Sequence, residues 1–512
     1  MKGDFTRNSF DPSSHYSRVL MQQGRVQLDA DWNEQAALFT HYLRALARDL
    51  IGPHGAPAIG GGFELVTKPE DVRNADGSAV SDAEQLEKLT KALANGDSFV
   101  INPGAYYVDG IRVKNEKPLL YGEQAGFSAD AFGELAPDNR LLYLDVWERH
   151  VTCVEDPRIR EVALGGADTA TRAQIIWQVK SAAVSNPDQP CDPGAVPPRP
   201  GSGRLRARAK QGAPSEPCAI APSSTYRGAE NQLYRIEILH GGSLAANDKP
   251  SFVWSRENGS VVFPIVQLGA SSTVNGTSRL EVTLASLGRD DKLGLHPGDW
   301  VAVVDDDAVL QNRADPLLQV IKIDRDTSIV TLQGTTPVQN NGRHKLLRRW
   351  DHKHPSGAMA VSEAAGDADL ADQNWIAIED GIQIWFAPGA TYQTGDYWLI
   401  PARVATGDVE WPPETNADGS AVVSNGNPVP AALPPVGPVH HYAPLGVFVA
   451  GVAVPGAPSS AASVSNCRCV LRPVTDCGTG LATRNAAGPV SPAVASVPAQ
   501  ETKSVRSSKP AG

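Results

Sequence analysis

The sequence predicts a mainly β protein with a short N-terminal α-helical segment, built from several β-sandwich or barrel-like modules. Three observations support this fold class. Glycine (47) and proline (40) are plentiful while hydrophobic residues make up 41% of the 512 residues, a composition typical of short strands joined by turns. Short runs rich in Val, Ile, Tyr and Trp, separated by Gly, Asp and Asn, continue from Ser98 to about Val454. Ahead of them, one stretch has helical periodicity.

The predicted N-terminal helix covers residues 32–51, where apolar residues recur at alternating steps of four and three. Asp31 is predicted to cap its first turn with Glu34 as reciprocal partner, and Gly52 followed by Pro53 is predicted to end it. The apolar positions form one stripe: Trp32, Ala36, Phe39, Leu43, Leu46 and Leu50.

This apolar stripe is the candidate interaction site of the chain. A spacing that averages 3.5 residues is typical of a helix that packs against other helices. Two interpretations stay open: the stripe docks on a partner, including a second copy of the chain, or it packs on the chain's own β-sheet. Upstream, residues 25–28 alternate polar and apolar and are predicted as a strand.

Composition shifts divide the chain into five segments. Residues 82–95 are predicted as a second helix and Asp109-Gly110 as the turn of a hairpin, whereas residues 204–210 place four basic residues within a Pro/Gly-rich loop. The segments are 1–55 (strand-helix docking segment), 56–135 (small α+β module with the hairpin), 136–350 (β-rich body with the inserted loop 185–227), 351–455 (second β module) and 456–512 (flexible low-complexity tail).

Bulk charge and hydropathy exclude two classes of partner. Lys plus Arg number 46 against 57 Asp plus Glu, a net charge of −11, and such a surface repels phosphate backbones. We therefore predict no nucleic-acid partner. The longest apolar run, residues 445–454, is short of the ~20 residues that a spanning helix needs, which predicts no membrane insertion. The first residues contain no signal peptide, so we expect a cytoplasmic protein, or one released within an assembled particle.

Sequence motifs for catalysis are missing. The chain has no G-x-S-x-G, P-loop, H-E-x-x-H or dinucleotide-binding glycine pattern. The prediction is a protein that is not an enzyme and uses no cofactor. A hydrolase that uses two carboxylates is the open alternative, because two acids close in space leave no local pattern in the sequence.

Several groups of ligand-type residues are weighed as metal sites, and no metal is predicted at any of them. Acidic residues after a strand are expected to form a solvated turn, the histidines before Pro355 a surface turn, and the cysteines free thiols in a reducing compartment. Adjacent histidines of a strand point to opposite faces and cannot share one ion. These groups are Asp305-Asp306-Asp307, His352 with His354, His440 with His441, and Cys467 with Cys469 and Cys477.

Tryptophans of the β region suggest a glycan partner as an alternative, because flat rings stack on sugar faces. The opposing interpretation is that they belong to the core, where tryptophans in strands usually lie. The candidates are Trp254, Trp350, Trp375, Trp385, Trp398 and Trp411.

The chain resembles a bacterial family described as domain of unknown function 6519. The resemblance lies in residues 1–7 and 16–35, and continues through blocks such as 143–149, 161–169 and 254–261. It covers most of residues 1–455. The family is associated with phage-tail-like contractile injection systems, which is the only functional implication that the resemblance supplies.

A further resemblance concerns residues 103–113, which look like the hairpin at the head of many phage tail and baseplate proteins. Together these resemblances lead to the expected function. We expect a structural component of a phage-tail-like particle, associated with its baseplate, fibre or spike, that docks on other tail or baseplate proteins and forms a homo-oligomer. A glycan- or surface-binding module and a carboxylate-dependent hydrolase are the alternatives.

Overall fold

The mainly β fold class is confirmed. A computed structural model of the protein describes residues 1–94, 98–127, 139–184, 191, 201–209, 225–243, 249–355, 357–361, 375–424, 426–449 and 463–471. Its helices are α1 (Asp29–Ile51), α2 (Ala83–Ala94) and α3 (Asp306–Leu310).

Strands of the described residues run from β1 to β29. They are β1 (His54–Pro57), β2 (Leu65–Val66), β3 (Val100–Ile101), β4 (Gly104–Val108), β5 (Ile111–Asn115), β6 (Leu119–Leu120), β7 (Arg140–Val151), β8 (Arg172–Ala183), β9 (Leu205–Ala209), β10 (Gln232–His240), β11 (Gly242–Ser243), β12 (Ser251–Ser255), β13 (Val262–Val274), β14 (Thr277–Leu284), β15 (Trp300–Val304), β16 (Leu318–Asp324), β17 (Ile329–Gln333), β18 (Leu346–Trp350), β19 (Met359–Ala360), β20 (Ile376–Ala377), β21 (Ile382–Phe386), β22 (Thr391–Tyr392), β23 (Tyr397–Arg403), β24 (Asp408–Val409), β25 (Val423–Ser424), β26 (Asn427–Pro428), β27 (His440–Val449), β28 (Ser463–Asn466) and β29 (Val470–Leu471).

Three large hydrophobic cores organise these strands. The first lies between the sheet β28-β27-β7-β8 and the strands around β4 and β5. The second lies between the sheet β19-β12-β10-β23-β24 and the smaller sheet β20-β21-β9. The third fills a closed six-stranded barrel, β13-β14-β17-β16-β15-β18. Sheet partners are distant in sequence: β7 pairs with β27 and β10 with β23, so residues of the predicted segments 136–350 and 351–455 share sheets.

Helix α1 begins earlier than predicted and its N-cap differs. Leu28 is the N-cap and its side chain makes no capping hydrogen bond, while Asp31 lies within the first turn. Asp31 cannot cap because it is already helical. Gly52 ends the helix as predicted, with a φ of 87° and its N–H donating to the Arg48 carbonyl. Residues 25–28 form no strand; Val26 is exposed, so the alternation there has no buried face.

The second helix and the hairpin are confirmed. Helix α2 covers Ala83–Ala94, with Asp82 accepting from the backbone N–H groups of Glu84 and Gln85; its predicted stop at residues 95–96 lies outside the described residues. Strands β4 and β5 pair through a turn at Asp109 and Gly110, whose φ values are 48° and 77°. Positive φ at both positions is what a two-residue hairpin turn requires.

The predicted loop 185–227 contains a buried strand. Every residue of β9 is buried, and β9 pairs with β21. Leu205, Ala207 and Ala209 join the second core, so the short apolar residues alternate with the arginines along the strand. The basic residues therefore do not form a solvated cluster there; Lys210 lies outside the described residues.

The predicted flexible tail also contains ordered strands. Strand β28 pairs with β27, and β29 pairs in parallel with β1. Cys467 forms a disulfide with Cys191, 276 residues away, so the expectation of free thiols is wrong for Cys467. Cys469 is free and exposed. Cys477 lies outside the described residues.

Candidate docking surface

Helix α1 is fixed to the body of the protein by close backbone packing. A Cβ added to Gly110 would lie 2.1 Å from the carbonyl oxygen of Arg44, so the hairpin turn touches the helix backbone where no side chain fits. The Arg44 guanidinium then donates to Glu148 at 2.8 Å. Leu38 and Ala30 are buried on this inner side. The helix is thus held in a defined orientation.

The N-terminal arm, residues 1–28, is bonded to α1 through residues between Thr6 and Val19. Thr6 donates to the Asp29 carboxylate from its backbone N–H at 3.0 Å and from its hydroxyl at 2.5 Å. Val19 donates its N–H to the Gln35 side chain at 2.8 Å. Burial opposes ionisation of Asp29, but the hydrogen bonds from Thr6 outweigh it and lower the pKa of this carboxyl. The arm and the helix form one surface.

All six residues of the predicted stripe lie on the exposed face of α1. Trp32 and Leu50 are 79% and 76% exposed, although both are large apolar side chains. Ala36 between them is exposed as well. The remaining three, Phe39, Leu43 and Leu46, are 57–66% exposed. Of the two interpretations of the stripe, packing on the chain's own sheet is wrong among the described residues; docking on a partner stays a prediction.

Apolar residues of the arm extend this surface. They are exposed like the stripe. Sequence analysis missed the first three because they follow no helical or strand period, and it assigned the last two to a strand with a buried face. These residues are Tyr16, Leu20, Met21, Val26 and Leu28. We call them, with the six residues of the stripe, the N-terminal apolar surface.

Such a surface is costly to leave in water. Contiguous apolar patches beyond ~300–600 Å² are unusual on monomeric proteins and mark interaction sites. Trp32 and Phe39 would each bury roughly 150–250 Å² if fully covered, and each large apolar side chain stabilises an interface by about 1.5–3 kcal/mol when buried. The residues beside the stripe, Asn33, Gln35 and Thr40, carry no charge that would oppose a partner.

Two residues of the acidic cluster after β15, Asp305 and Asp306, are buried, whereas Asp307 is exposed. Asp305 accepts from the Ala308 N–H at 2.9 Å and thereby caps α3. Asp306 is paired with Arg149 at 3.3 Å and with His344 at 2.8 Å. The Arg149 guanidinium, from the distant strand β7, neutralises this charge, so the prediction of a solvated turn is wrong for Asp305 and Asp306.

The histidine pairs occupy separate environments. His352, predicted on a surface turn, is buried. His440 contacts Asp145 at 2.7 Å, whereas His441 contacts Asp109 at 2.9 Å. The two neighbours thus face different carboxylates, as strand geometry predicts. No group of three potential metal-ligating side chains occurs within the described part of the chain.

The proposed sugar platform is not on the surface. Five of its six tryptophans are buried, and Trp411 is partly buried against the second core. Two of them stack against buried arginines of β9. The Arg206 guanidinium lies 5.3 Å from the centre of the Trp385 ring, and the Arg208 guanidinium lies 4.1 Å from the centre of the Trp375 ring. These rings therefore stabilise the fold, and the glycan hypothesis loses its candidate residues.

Fold and surface together define a β-rich protein that presents an anchored N-terminal helix with an exposed apolar face. The chain belongs to the Family of unknown function (DUF6519), whose model matches residues 1–190 and 201–512. No curated protein matches the chain, and no solved structure does. Within the described residues, no helix is both long enough and apolar enough to cross a bilayer.

Proposed function

We propose that this chain is a structural, non-enzymatic component of a phage-tail-like particle, and that it docks on other tail or baseplate proteins through its N-terminal apolar surface. The observation that carries the proposal is the exposed stripe on α1. The kind of particle is part of the proposal and follows from what the sequence resemblance implies, a phage-tail-like contractile injection system.

The contacts that hold the N-terminal apolar surface in place indicate a docking surface and not a flexible terminal segment. The helix backbone touches the hairpin at Gly110 and the arm is bonded to Asp29 and Gln35. A surface ordered before binding loses little conformational entropy when a partner covers it. Large aromatic side chains such as Trp32 and Phe39 are the residue types that dominate binding energies at protein interfaces.

The direct test is whether the protein is part of the particle. Particles purified from producing cells should contain this chain at a fixed ratio to their tube and baseplate proteins, measured by quantitative mass spectrometry and by antibody labelling in electron micrographs. If particles lack the chain, or carry it only in traces that salt washing removes, the proposal fails.

A set of variants tests the surface itself. Replacing Trp32, Leu43 and Leu50 together by serine should reduce incorporation into particles by roughly tenfold or more, because each loses a buried apolar contact. The fold should be kept, since none of the three side chains is buried in the chain itself.

A matched control uses apolar residues that are equally exposed elsewhere. Ile59, Val162 and Leu164 are 88%, 85% and 66% exposed. Serine at these three positions should leave incorporation unchanged. Equal losses in both triple variants would show that general solubility, and not docking through α1, governs incorporation. Light scattering of the same proteins reports whether a second copy covers the surface.

A further inference from the structure

A cavity of about 610 Å³ lies where the three cores meet. Its wall is formed by residues of β7, β10, β15, β18 and β27, together with the first residues of the chain. A volume of this size is typical of sites that hold small organic ligands. Apolar side chains of the barrel, including Val262 and Leu346, form part of the wall.

Positive charge dominates the lining although the whole chain carries a net charge of −11. Seven lining residues are lysine or arginine and four are aspartate or glutamate. Three of these carboxylates are already paired: Glu148 with Arg44, Glu237 with Lys2 and Arg235, and Asp315 with Arg313. The fourth, Glu155, accepts hydrogen bonds from Thr152.

These four carboxylates leave three lining cations over: Arg149 and Lys180 are paired with Asp306 and Asp145, which lie outside the lining, and Arg348 remains. Its guanidinium donates to the Gly259 carbonyl, and within the described residues no carboxylate lies within ion-pair distance of it. It is only half-buried because it borders the cavity. A guanidinium without a counter-ion in a mostly dehydrated site is costly, and an oxyanion is the ligand that its planar donor fork fits.

Two further cations converge on the same turn. A Cβ on Gly259 would lie 3.6 Å from Lys2 Cγ and 3.6 Å from Arg235 Cδ. Burial, together with neighbouring cations, lowers the pKa of Lys2 to about 8 and that of Arg348 to about 10, although the Glu237 carboxylate opposes both shifts. The same causes lower the pKa of His150 to about 3, so this ring is neutral and serves as a hydrogen-bonding group. Lys2, Arg235 and Arg348 thus form a cluster of three cations in which Glu237 is bonded to Lys2 and Arg235.

We propose that this cavity binds a small organic oxyanion, with a phosphate or carboxylate group held against Arg348 and Lys2 and the rest of the ligand against the apolar wall of the barrel. The site joins strands of all three cores, so a bound ligand stabilises the whole described body. This inference stands apart from the docking proposal, since none of its groups belongs to the N-terminal apolar surface.

Binding is tested on the full chain with three probes: inorganic phosphate, pyrophosphate and citrate. Thermal unfolding and calorimetric titration are carried out at constant ionic strength with chloride as the reference salt. At least one probe should raise the melting temperature saturably at concentrations up to roughly 10 mM, since a ligand that binds only the folded state stabilises it by mass action. Preference for pyrophosphate indicates a phosphoryl ligand, and preference for citrate a carboxylate ligand.

The variant Arg348→Met separates binding from folding. Without ligand it should be at least as stable as the parent, because it removes a cation that has no counter-ion; with ligand it should bind roughly tenfold or more weakly. Lys2→Met should also weaken binding. Arg158→Met is the control, since Arg158 is exposed, paired with Asp156 and not part of the cavity lining; its affinity should be that of the parent.

Two results would overturn the proposal. One is the absence of saturable binding for all three probes. The other is binding that Arg348→Met leaves unchanged, because an anion site elsewhere on the surface would behave in that way. Should Arg348→Met fail to fold, Arg348→Lys serves instead: it keeps the charge but loses the planar donor fork, and should bind more weakly than the parent while folding normally.

Discussion

His352 is an unusual residue because both of its ring nitrogens are buried and lack a hydrogen-bond partner among the described residues. Burial lowers its pKa to about 4. A histidine whose pKa is lower in the folded than in the unfolded protein stabilises the fold above pH ~6.5 and loses this contribution as the pH falls toward the folded value. The residue therefore makes the protein sensitive to mild acid.

We predict that His352→Leu relieves this sensitivity. At pH 7 the variant should be as stable as the parent or more stable, because it removes two unsatisfied polar atoms. At pH 5 the difference in the free energy of unfolding should grow by about 2 kcal/mol in favour of the variant. The reason is that the histidine is protonated in the unfolded parent at this pH but stays neutral in the folded parent. Urea unfolding of both proteins at the two pH values measures the difference. If the parent and the variant lose the same free energy of unfolding between pH 7 and pH 5, His352 is not the source of the acid sensitivity.

Burial of single polar residues is what the sequence predicts least well. Asp306 is predicted in water, yet Arg149, which neutralises it, is 157 residues away, and His344, which contacts it, is 38 residues away. Nothing near Asp306 in the sequence indicates these partners. The stripe on α1 is the opposite case, because its period is local and could be recognised in full.

At the scale of elements, the turn between β4 and β5 determines where α1 lies. Gly110 combines a φ of 77° with direct contact to the Arg44 carbonyl. The hairpin was predicted from Asp109-Gly110 alone, but its contact with the helix was not. Turn chemistry is local, whereas the packing of a turn on a helix depends on the whole fold.

We predict that Gly110→Ala destabilises the protein by roughly 2–4 kcal/mol and loosens α1. The added methyl group meets backbone atoms, which cannot move aside as a flexible side chain would, and strain from the positive φ adds to the clash. Thermal unfolding measures the loss, and faster hydrogen exchange of residues 38–48 should accompany it.

Gly77→Ala provides the matched control for that substitution. Gly77 has a φ of 83° but nothing within 4 Å of an added Cβ, so only backbone strain of about 1–2 kcal/mol is expected. If the two alanine variants lose equal stability, close packing of the turn on α1 contributes nothing and the anchored orientation of the helix is in doubt.

Strand β9 shows that amino-acid composition alone can predict a loop where the chain forms a buried strand. Its Pro- and Gly-rich surroundings predict a loop, but Leu205, Ala207 and Ala209 alternate with arginines and face the second core. Stacking of Arg206 on Trp385 makes the polar side of the strand compatible with burial. A two-residue period was present in the sequence, and the Pro- and Gly-rich residues around it concealed it.

At the scale of the whole molecule, the sheets join residues far apart in the chain. Most strands could be recognised from their residues, but the pairing of β7 with β27, almost 300 residues later, could not, because pairing depends on long-range contacts. The cavity between the cores is invisible to sequence analysis for the same reason. Its lysine and arginine residues are scattered from Lys2 to Arg348.

Glu237 joins two of these scattered cations. It is bonded to Lys2 at 2.7 Å and to Arg235 at 2.5 Å, and its side chain is only 10% exposed. Burial opposes its charge, but the two cations outweigh burial and lower the pKa of Glu237 to about 2. A carboxyl with a lowered pKa stabilises the fold above its unfolded value near pH 4.5 and loses this effect as the pH falls through 2. Its contribution is therefore complete at neutral pH.

We predict that Glu237→Gln lowers the free energy of unfolding by about 3 kcal/mol at pH 7, because it leaves two buried cations without their counter-ion. Glu148→Gln is the control: its pair with Arg44 is about one-third exposed on each side, so the loss should stay below ~1 kcal/mol. Citrate or pyrophosphate should restore more stability to Glu237→Gln than to the parent, because the variant cavity carries one more uncompensated positive charge. Equal losses in the two glutamine variants, measured by urea unfolding, would show that the cations at the junction of the cores are stabilised by water and not by Glu237.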